Sequence, residues 1–420
     1  MAKRKATAKQ IRVGVIGVGR GQSFMRQAPY AGMELVAICD TWEERLRKVG
    51  EELGVATYTD YDQFLQHDMD AVITANYFHQ HAPFAIKALR AGKHVMSETS
   101  ACKTLAEGVA LIREVEKSGK IYMLAENYPY TAVNIEMRRR YQNGEIGDAL
   151  YADGEYNHPM ALDDVMRISP GLTHWRNNLP STYYCTHALA PLMSATDTWP
   201  VSVNGLSIAT PEGYIPLSPR RGDIGAVILC RMDNGAVFKL FQTGVPGHSI
   251  WYRIHGTRGL MEHTRGPGYW GPGQLRIAHD PWELRPDEVT EQTYLPDFPE
   301  WAQDAARTGH GGGDYFTTYH FGEAIRSGKP PYLDVYRGVA MSIVGILAWK
   351  SALQNGAPFA VPDFRDEKQR QQYADDHWSP FPEDAGPGQP QPSIRGNIKP
   401  SAAAIRYARK IWKEIGYKEQ

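Results

Sequence analysis

The stretch Ile11-Arg-Val-Gly-Val-Ile-Gly-Val-Gly-Arg-Gly21 decides the fold: an apolar run breaks into three closely spaced glycines and passes into a helix-like segment at 22–27. It reads as a strand, a tight turn and a helix start. Gly17 and Gly19 carry no Cβ, so the backbone can turn sharply there and let a pyrophosphate approach amide groups at the helix N-terminus. Gly21 stands one residue early for the usual G-x-G-x-x-G spacing, with Gln22 at the expected position. A second apolar run at 34–39 ends in Asp40, about twenty residues past the turn, where a carboxylate accepts hydrogen bonds from an adenosine ribose. A carboxylate there disfavours a 2′-phosphate, so the expected cofactor is NAD rather than NADP.

Outward from that turn, apolar runs alternate with helical patterns as far as about residue 149. Strands are expected at 34–39, 71–75, 94–96 and 121–124, and helices at 42–53, 82–91 and 105–118, which is the βαβ signature of a parallel sheet covered on both faces. Ligands of such sheets lie beyond the carboxyl ends of the strands. The residues to watch there are Asp40, the run Asn76-Tyr-Phe-His-Gln-His81, Glu98, Glu126 and Asn127.

Past Gly147 the pattern changes to alternating runs at 149–156, 226–232, 236–244 and 249–255, which suggest antiparallel strands. Between them, 171–193 is rich in His, Trp, Arg, Asn and Tyr, a costly composition for a core unless those groups bind something. A helix at 335–354 is expected against this sheet, a Pro/Gly-rich arm at 379–400, and an amphipathic helix at 402–415 packing on another domain or subunit. The expected fold class is α/β: an N-terminal Rossmann domain and a C-terminal α+β domain with a large open, mostly antiparallel sheet. The expected divisions are a disordered basic tail at 1–10, the NAD-binding domain at 11–150, the substrate domain at 151–365, and the arm with its terminal helix at 366–420.

Composition excludes several other classes. The 420 residues are 42% hydrophobic and 22% charged with a formal net charge of -1, enough for two cores and with no basic field for nucleic acid or anionic lipid. No apolar run approaches a membrane span, and the tail lacks the apolar core of a signal peptide. Cys39, Cys102, Cys185 and Cys230 lie too far apart for a zinc or disulfide framework, which fits a reducing cytoplasm. His79 and His81 have no obvious third ligand, so no metal is expected.

From about Arg12 to Arg365 the chain resembles the Gfo/Idh/MocA oxidoreductases, in which a nucleotide-binding domain precedes an open-sheet substrate domain. Family dehydrogenases carry Glu-Lys-Pro after the fifth strand, where this chain has Glu98-Thr99-Ser100, and an aspartate four residues before the histidine, where it has Tyr183 before His187. It is more similar to glycoside hydrolase family 109, the NAD-dependent glycosidases: Tyr184-Cys-Thr-His187 matches their Tyr-Pro-Thr-His at three of four positions. The runs Gly309-His-Gly-Gly-Gly-Asp-Tyr315 and Pro362-Asp-Phe364 look like that branch too. The resemblance implies cofactor contact at Arg20, Asp40, the loop ending in His81, Glu98 and Asn127, and substrate contact at Tyr156, Arg176, Tyr184 and His187.

Hydrolysis by the common route needs two carboxylates flanking the anomeric carbon, and 171–193 offers no persuasive pair. A redox route needs other groups. The sugar is oxidised at C3 by NAD, the ketone acidifies the C2 proton, the C1 leaving group is eliminated, water adds, and C3 is reduced again. His187 is the expected base for the C3 hydroxyl, Tyr156 the base at C2 as a phenolate favoured by positive charge such as Arg176, and Tyr184 the holder of O3 or O4. Glu126, His174, Arg176, His310 and Asp314 are expected at the sugar; Gly17, Gly19, Arg20, Gly21, Asp40, Asn76, His79, His81, Glu98 and Asn127 at the cofactor. The expected substrate is a small glycoside, with an anionic substituent left open, and the expected protein is a cytoplasmic homo-oligomer. The alternatives are an NAD-dependent sugar or cyclitol dehydrogenase and a non-catalytic, nucleotide-dependent sugar-binding protein.

Overall fold

The run that opens the chain becomes strand β1 (Ile11–Ile16), whose Val13 and Val15 are fully buried because helices cover both faces of the sheet it joins. A computed structural model describes residues 10–265 and 273–419, so the expected basic tail lies, but for Gln10, outside the described residues. With β1 stand β2 (Met33–Cys39), β3 (Ala56–Tyr58), β4 (Ala71–Thr74), β5 (His94–Ser97) and β6 (Tyr122–Leu124), all parallel, in the order β3-β2-β1-β4-β5-β6. The order reverses between β1 and β4. That switch point opens a crevice at the carboxyl ends of the strands, the standard position for a dinucleotide. β3 is absent from the sequence expectations because its three residues, Ala-Thr-Tyr at the sheet edge, are only half-buried or exposed and carry no apolar run.

Local signals set the helix limits. Thr104 caps Leu105–Ser118 by accepting the Glu107 N–H, Glu107 reaches back to the Lys103 N–H, and Gly119 ends the helix at φ 63°. That helix matches its expected bounds residue for residue.

The second sheet has nine strands: β7 (Ala149–Asn157), β8 (Pro200–Ile208), β9 (Gly225–Met232), β10 (Val237–Thr243), β11 (Ser249–Gly256), β12 (Leu260–His263), β13 (Leu275–Ala278), β14 (Glu291–Tyr294) and β15 (Phe359–Ala360). Their order is β14-β13-β12-β11-β7-β10-β9-β8-β15, antiparallel except between β7 and β10. The helix Thr186–Thr196 crosses β7 at Gly154, where any Cβ would collide with the Ala188 carbonyl. This close approach brings the start of that helix to the end of β7. The helix Val335–Ala352 lies against β8 at Gly205 and against the first domain through Gly338 beside Leu124, so one buried helix joins the two halves.

The arm at 379–400 has one short turn, Pro382–Asp384, and runs back over the first domain, where Lys103 Nζ meets Asp384 at 2.5 Å and Glu383 at 3.2 Å. The terminal helix Ala402–Glu414 packs on Leu162–Ile168 of the same chain, with Trp412 Nε1 donating to the Met166 carbonyl at 3.1 Å. The four cysteines are buried and free, and no helix among the described residues is long and apolar enough to cross a membrane.

Candidate active site

The glycine turn closes the first half of the site. Gly17 sits at φ 98° with its Cα against the Ala75 carbonyl, so a side chain there would face both backbone strain and a collision. Nothing lies within 4 Å of a Cβ on Gly19, which leaves the turn open where a pyrophosphate would approach. Gly21 starts the helix 2.8 Å, by its virtual Cβ, from Val15, so it performs the helix–strand packing of the third glycine despite its early position. Asp40 accepts the Val18 N–H at 2.7 Å and the Trp42 N–H at 2.9 Å, which fixes its carboxylate at the end of β2.

Around this crevice, buried polar atoms stand without partners in the protein: both amide atoms of Asn76, Oδ1 of Asn127 and Nδ1 of His79. Orphans of this kind are costly unless a ligand completes them. Together with the open Gly19 they fit a dinucleotide. Burial lowers His79 to about 4, so its ring is neutral and offers Nδ1, while its Nε2 lies 3.2 Å from Glu383.

Three of the expected contacts have other work. Arg20 spends its guanidinium on two carboxylates: its Nε donates to Glu98 at 2.6 Å and its two terminal nitrogens grip Asp314 at 2.6 and 2.9 Å. Glu98 is correspondingly paired with Arg20 and with the Thr99 N–H. Burial raises the Glu98 carboxyl, but the Arg20 charge and that N–H outweigh it and hold it below its ordinary value. His81 is buried with Nδ1 3.0 Å from the Ser100 carbonyl and Nε2 3.2 Å from that of Asn76; burial keeps the ring neutral, so its single N–H ties it to one of these two loops.

The sugar-side expectations divide in the same way. Asp314 is fully buried and bonded to Arg20, Ser23, Asn127 and His310, so it ties the glycine loop to the helix Gly313–Ser327 and has no oxygen free for a sugar. Burial pushes its carboxyl up, yet the His310 and Arg20 hydrogen bonds prevail and hold it well below the carboxylate range. His310 serves the same knot through Nδ1. His174 accepts the Arg176 N–H at 3.2 Å and packs edge-on to Tyr77, which makes it the brace of the Arg176 turn.

His187, Tyr156 and Tyr184, 31 residues apart from first to last, do meet, since the start of Thr186–Thr196 overlies the end of β7. The His187 ring lies 4.6 Å from that of Tyr156 and 4.8 Å from that of Tyr184. Its Nδ1 contacts both oxygens of Glu126, at 2.7 and 2.9 Å, and the carboxylate also accepts the Tyr128 N–H. Glu126 is therefore the partner of His187 and not of a sugar hydroxyl or ribose. With Nδ1–H directed at the carboxylate, Nε2 is the acceptor.

The expected phenolate at Tyr156 does not follow. Burial, then the neighbouring Tyr128 and Tyr184 hydroxyls, raise the Tyr156 phenol well above its ordinary value, and the Arg176 charge opposes them without prevailing. Tyr156 is a neutral hydroxyl in the protein alone. Tyr183, at the position of the dehydrogenase aspartate, is buried against Phe381. Arg176 lies over Trp175 with Cζ 4.2 Å from the ring centre and 5.9 Å from that of Tyr184.

Two further rings, unexpected from the sequence, join the cluster: Tyr128, 4.6 Å from His187 and 5.3 Å from Tyr156, and His158, 5.7 Å from Tyr156. Tyr128 was available as the neighbour of Asn127; His158 carried no motif. Also unforeseen is Tyr252, whose hydroxyl donates to the His187 carbonyl at 2.7 Å. Among the described residues no group of three or more His, Cys, Asp or Glu is placed to hold a metal ion.

A glycine turn at a strand-order reversal, an acidic residue closing β2 and an open second sheet carrying a His–Tyr cluster define a two-domain NAD-binding enzyme. Residues 11–126 match the family model described as Oxidoreductase family, NAD-binding Rossmann fold, and residues 215–371 match Glycosyl hydrolase 109, C-terminal domain. The chain thus joins a Gfo/Idh/MocA nucleotide-binding domain to a glycosyl hydrolase 109 C-terminal domain. A Glycosyl hydrolase family 109 protein from Saccharopolyspora erythraea is 26% identical over 392 residues, covering 84% of this chain and 83% of the relative. Among solved structures, levoglucosan dehydrogenase in complex with NADH superposes with a TM-score of 0.72 at 21% identity, over 84% of this chain and all of that one. An inositol dehydrogenase homologue with NAD+ from Azotobacter vinelandii gives 0.69 at 20% identity, over 85% of this chain and 98% of its own. At these identities the likeness is one of fold.

Proposed function

We propose that this protein is an NAD-dependent glycosidase that cleaves a small glycoside with no net oxidation. The observation that carries the reading is the buried Glu126–His187 pair set among Tyr156, Tyr184 and Tyr128, in a site whose carboxylates are all engaged: Glu126 with His187, and Glu98 and Asp314 with Arg20. Direct displacement needs two carboxyl groups free to face the sugar. The dehydrogenase alternative wants a lysine after β5, and the next one in the chain, Lys103, is bonded to Glu383 and Asp384.

When bound, NAD supplies a reversible two-electron acceptor for C3 of the sugar and a positive charge beside the phenols. His187 takes the C3-hydroxyl proton at Nε2, and Glu126 stabilises the imidazolium that results through Nδ1–H. Tyr156 first releases its phenol proton to water and then, as a phenolate, receives the C2 proton; because burial holds the phenol proton tightly, this step is the one most sensitive to added positive charge and to pH. Tyr184 donates to O3, where negative charge gathers as C2 loses its proton, or holds the neighbouring O4. Tyr128 supplies a flat apolar wall against which a sugar ring can lie.

Incubation with NAD and a set of aryl glycosides tests the assignment. The expected result is release of free sugar and aglycone in excess of NAD, with no steady gain of absorbance at 340 nm, the NADH band. Stoichiometric NADH together with a keto sugar would make the protein a dehydrogenase.

A further inference from the structure

Two arginines, Arg176 and Arg220, stand on adjoining segments beside the His–Tyr cluster, and neither has a carboxylate partner among the described residues. Arg176 lies on Trp175 and reaches toward Tyr184. The segment that carries Arg220 docks on the same turn: the Arg221 N–H donates to the Asn177 carbonyl at 2.7 Å, and Gly222 approaches the Leu179 carbonyl so closely that a Cβ would not fit. Both charges act on His174, which burial, then Arg176 and more weakly Arg220, keep neutral. Arg220 itself is exposed to solvent on this docked segment.

Among the described residues neither guanidinium forms an ion pair. The one acid close by in sequence, Asp223, is bonded to Ser207, Ser393 and the Ile394 N–H. Arg20, in the first domain, shows the contrast: it is the same side chain matched by two carboxylates. Surrounding protein and the nearby Arg176 lower Arg220 to about 10, and among the described residues no carboxylate stands beside it to raise it. Unlike the paired arginines, these two give up interaction energy in the free protein, and a ligand carrying the opposite charge returns it. The planar forks of two guanidiniums suit oxyanions in particular.

We propose that Arg176 and Arg220 together receive an anionic group of the glycoside, a carboxylate, sulfonate, sulfate or phosphate lying away from the C2–C3 edge that reacts. The inference rests on the reading of this cleft as a sugar site, and it narrows the substrate class to acidic glycosides. The acid is carried either by the sugar ring or by the leaving group.

Calorimetric titration of the NAD-loaded full chain separates these sources. Each neutral hexose of the gluco, galacto and manno series is compared with its C6 carboxylate, its 6-phosphate and its 1-phosphate. At least one acid is expected to bind tenfold or more tightly than its neutral parent, with the advantage shrinking as salt is raised. An advantage confined to C6 acids assigns the group to the ring, and one confined to 1-phosphates assigns it to the leaving group. Arg220→Gln brings the acid-to-neutral ratio toward one, while Arg220→Lys retains part of it and reports that the loop still folds. Equal binding within every pair, absence of binding by all of them, or a ratio unmoved by Arg220→Gln overturns the receptor. If a bound acidic sugar is instead turned into a keto acid with lasting NADH, the receptor stands and the glycosidase reading falls.

Discussion

Glu126 is removed from solvent, and its carboxylate is shared between one imidazole and one backbone N–H. A carboxylate so placed fixes the tautomer of His187 and balances the charge the ring acquires. Glu126→Gln preserves the shape and removes the charge, so kcat/KM is expected to fall by about 10² to 10⁴, the range of a lost acid–base contribution. Binding of NAD, followed by fluorescence titration, is expected to hold within a factor of two, because Glu126 touches none of the glycine turn. Tyr156 carries a different prediction. Its raised phenol must lose a proton before it accepts one from C2, so proton exchange at C2 is expected to accelerate with pH above neutrality, and Tyr156→Phe to abolish that rise. His187, Tyr156 and Tyr184 were legible in the sequence because a local motif and a strand end announce them. The role of Glu126 was not, since its partner stands 61 residues away and nothing near position 126 points to it.

Arg20, Glu98 and Asp314 show the same limit between elements. Their pairing joins the glycine loop to a helix almost 300 residues later, the Arg20–Asp314 separation being 294, and no spacing rule reaches that far. Read singly, an arginine after a glycine turn and an aspartate in a glycine-rich motif each invited a ligand; together they satisfy one another. Asp314→Asn leaves Arg20 half-matched in a buried setting and is expected to cost about 3–5 kcal/mol at pH 7, measured as a shift in denaturant midpoint. The sign with pH follows from the depressed carboxyl of Asp314: its stabilisation is present above the unfolded carboxyl value of about 3.9 and is lost as pH falls through the folded value. The difference between wild type and variant therefore narrows below about pH 4. The strands follow a similar logic. β7, β9, β10 and β11 run for seven to nine residues and were legible, whereas β12, β13 and β14 have four residues each, too few for a period of two to stand out, and β8, nine residues from Pro200, went unexpected as well.

At the scale of the whole molecule, two sheets meet so that the crevice of the first faces the His–Tyr cluster on the second. The buried helix Val335–Ala352 and the returning arm fix that relation: the helix touches β8 and Leu124, and the arm pairs Glu383 and Asp384 with Lys103. The class of fold could be read from runs of apolar residues, but the return of the arm to its own first domain could not, because Pro- and Gly-rich segments carry no periodicity. Joining the two halves puts electron transfer at C3 beside proton transfer at C2, and the account depends on both acting on one sugar. The direct measurement is turnover of a glycoside in heavy water with NAD present, followed by mass spectrometry of the released sugar. One deuterium at C2 per cleavage is the predicted result; released sugar with hydrogen retained at C2 would contradict elimination and leave direct displacement as the chemistry of this site.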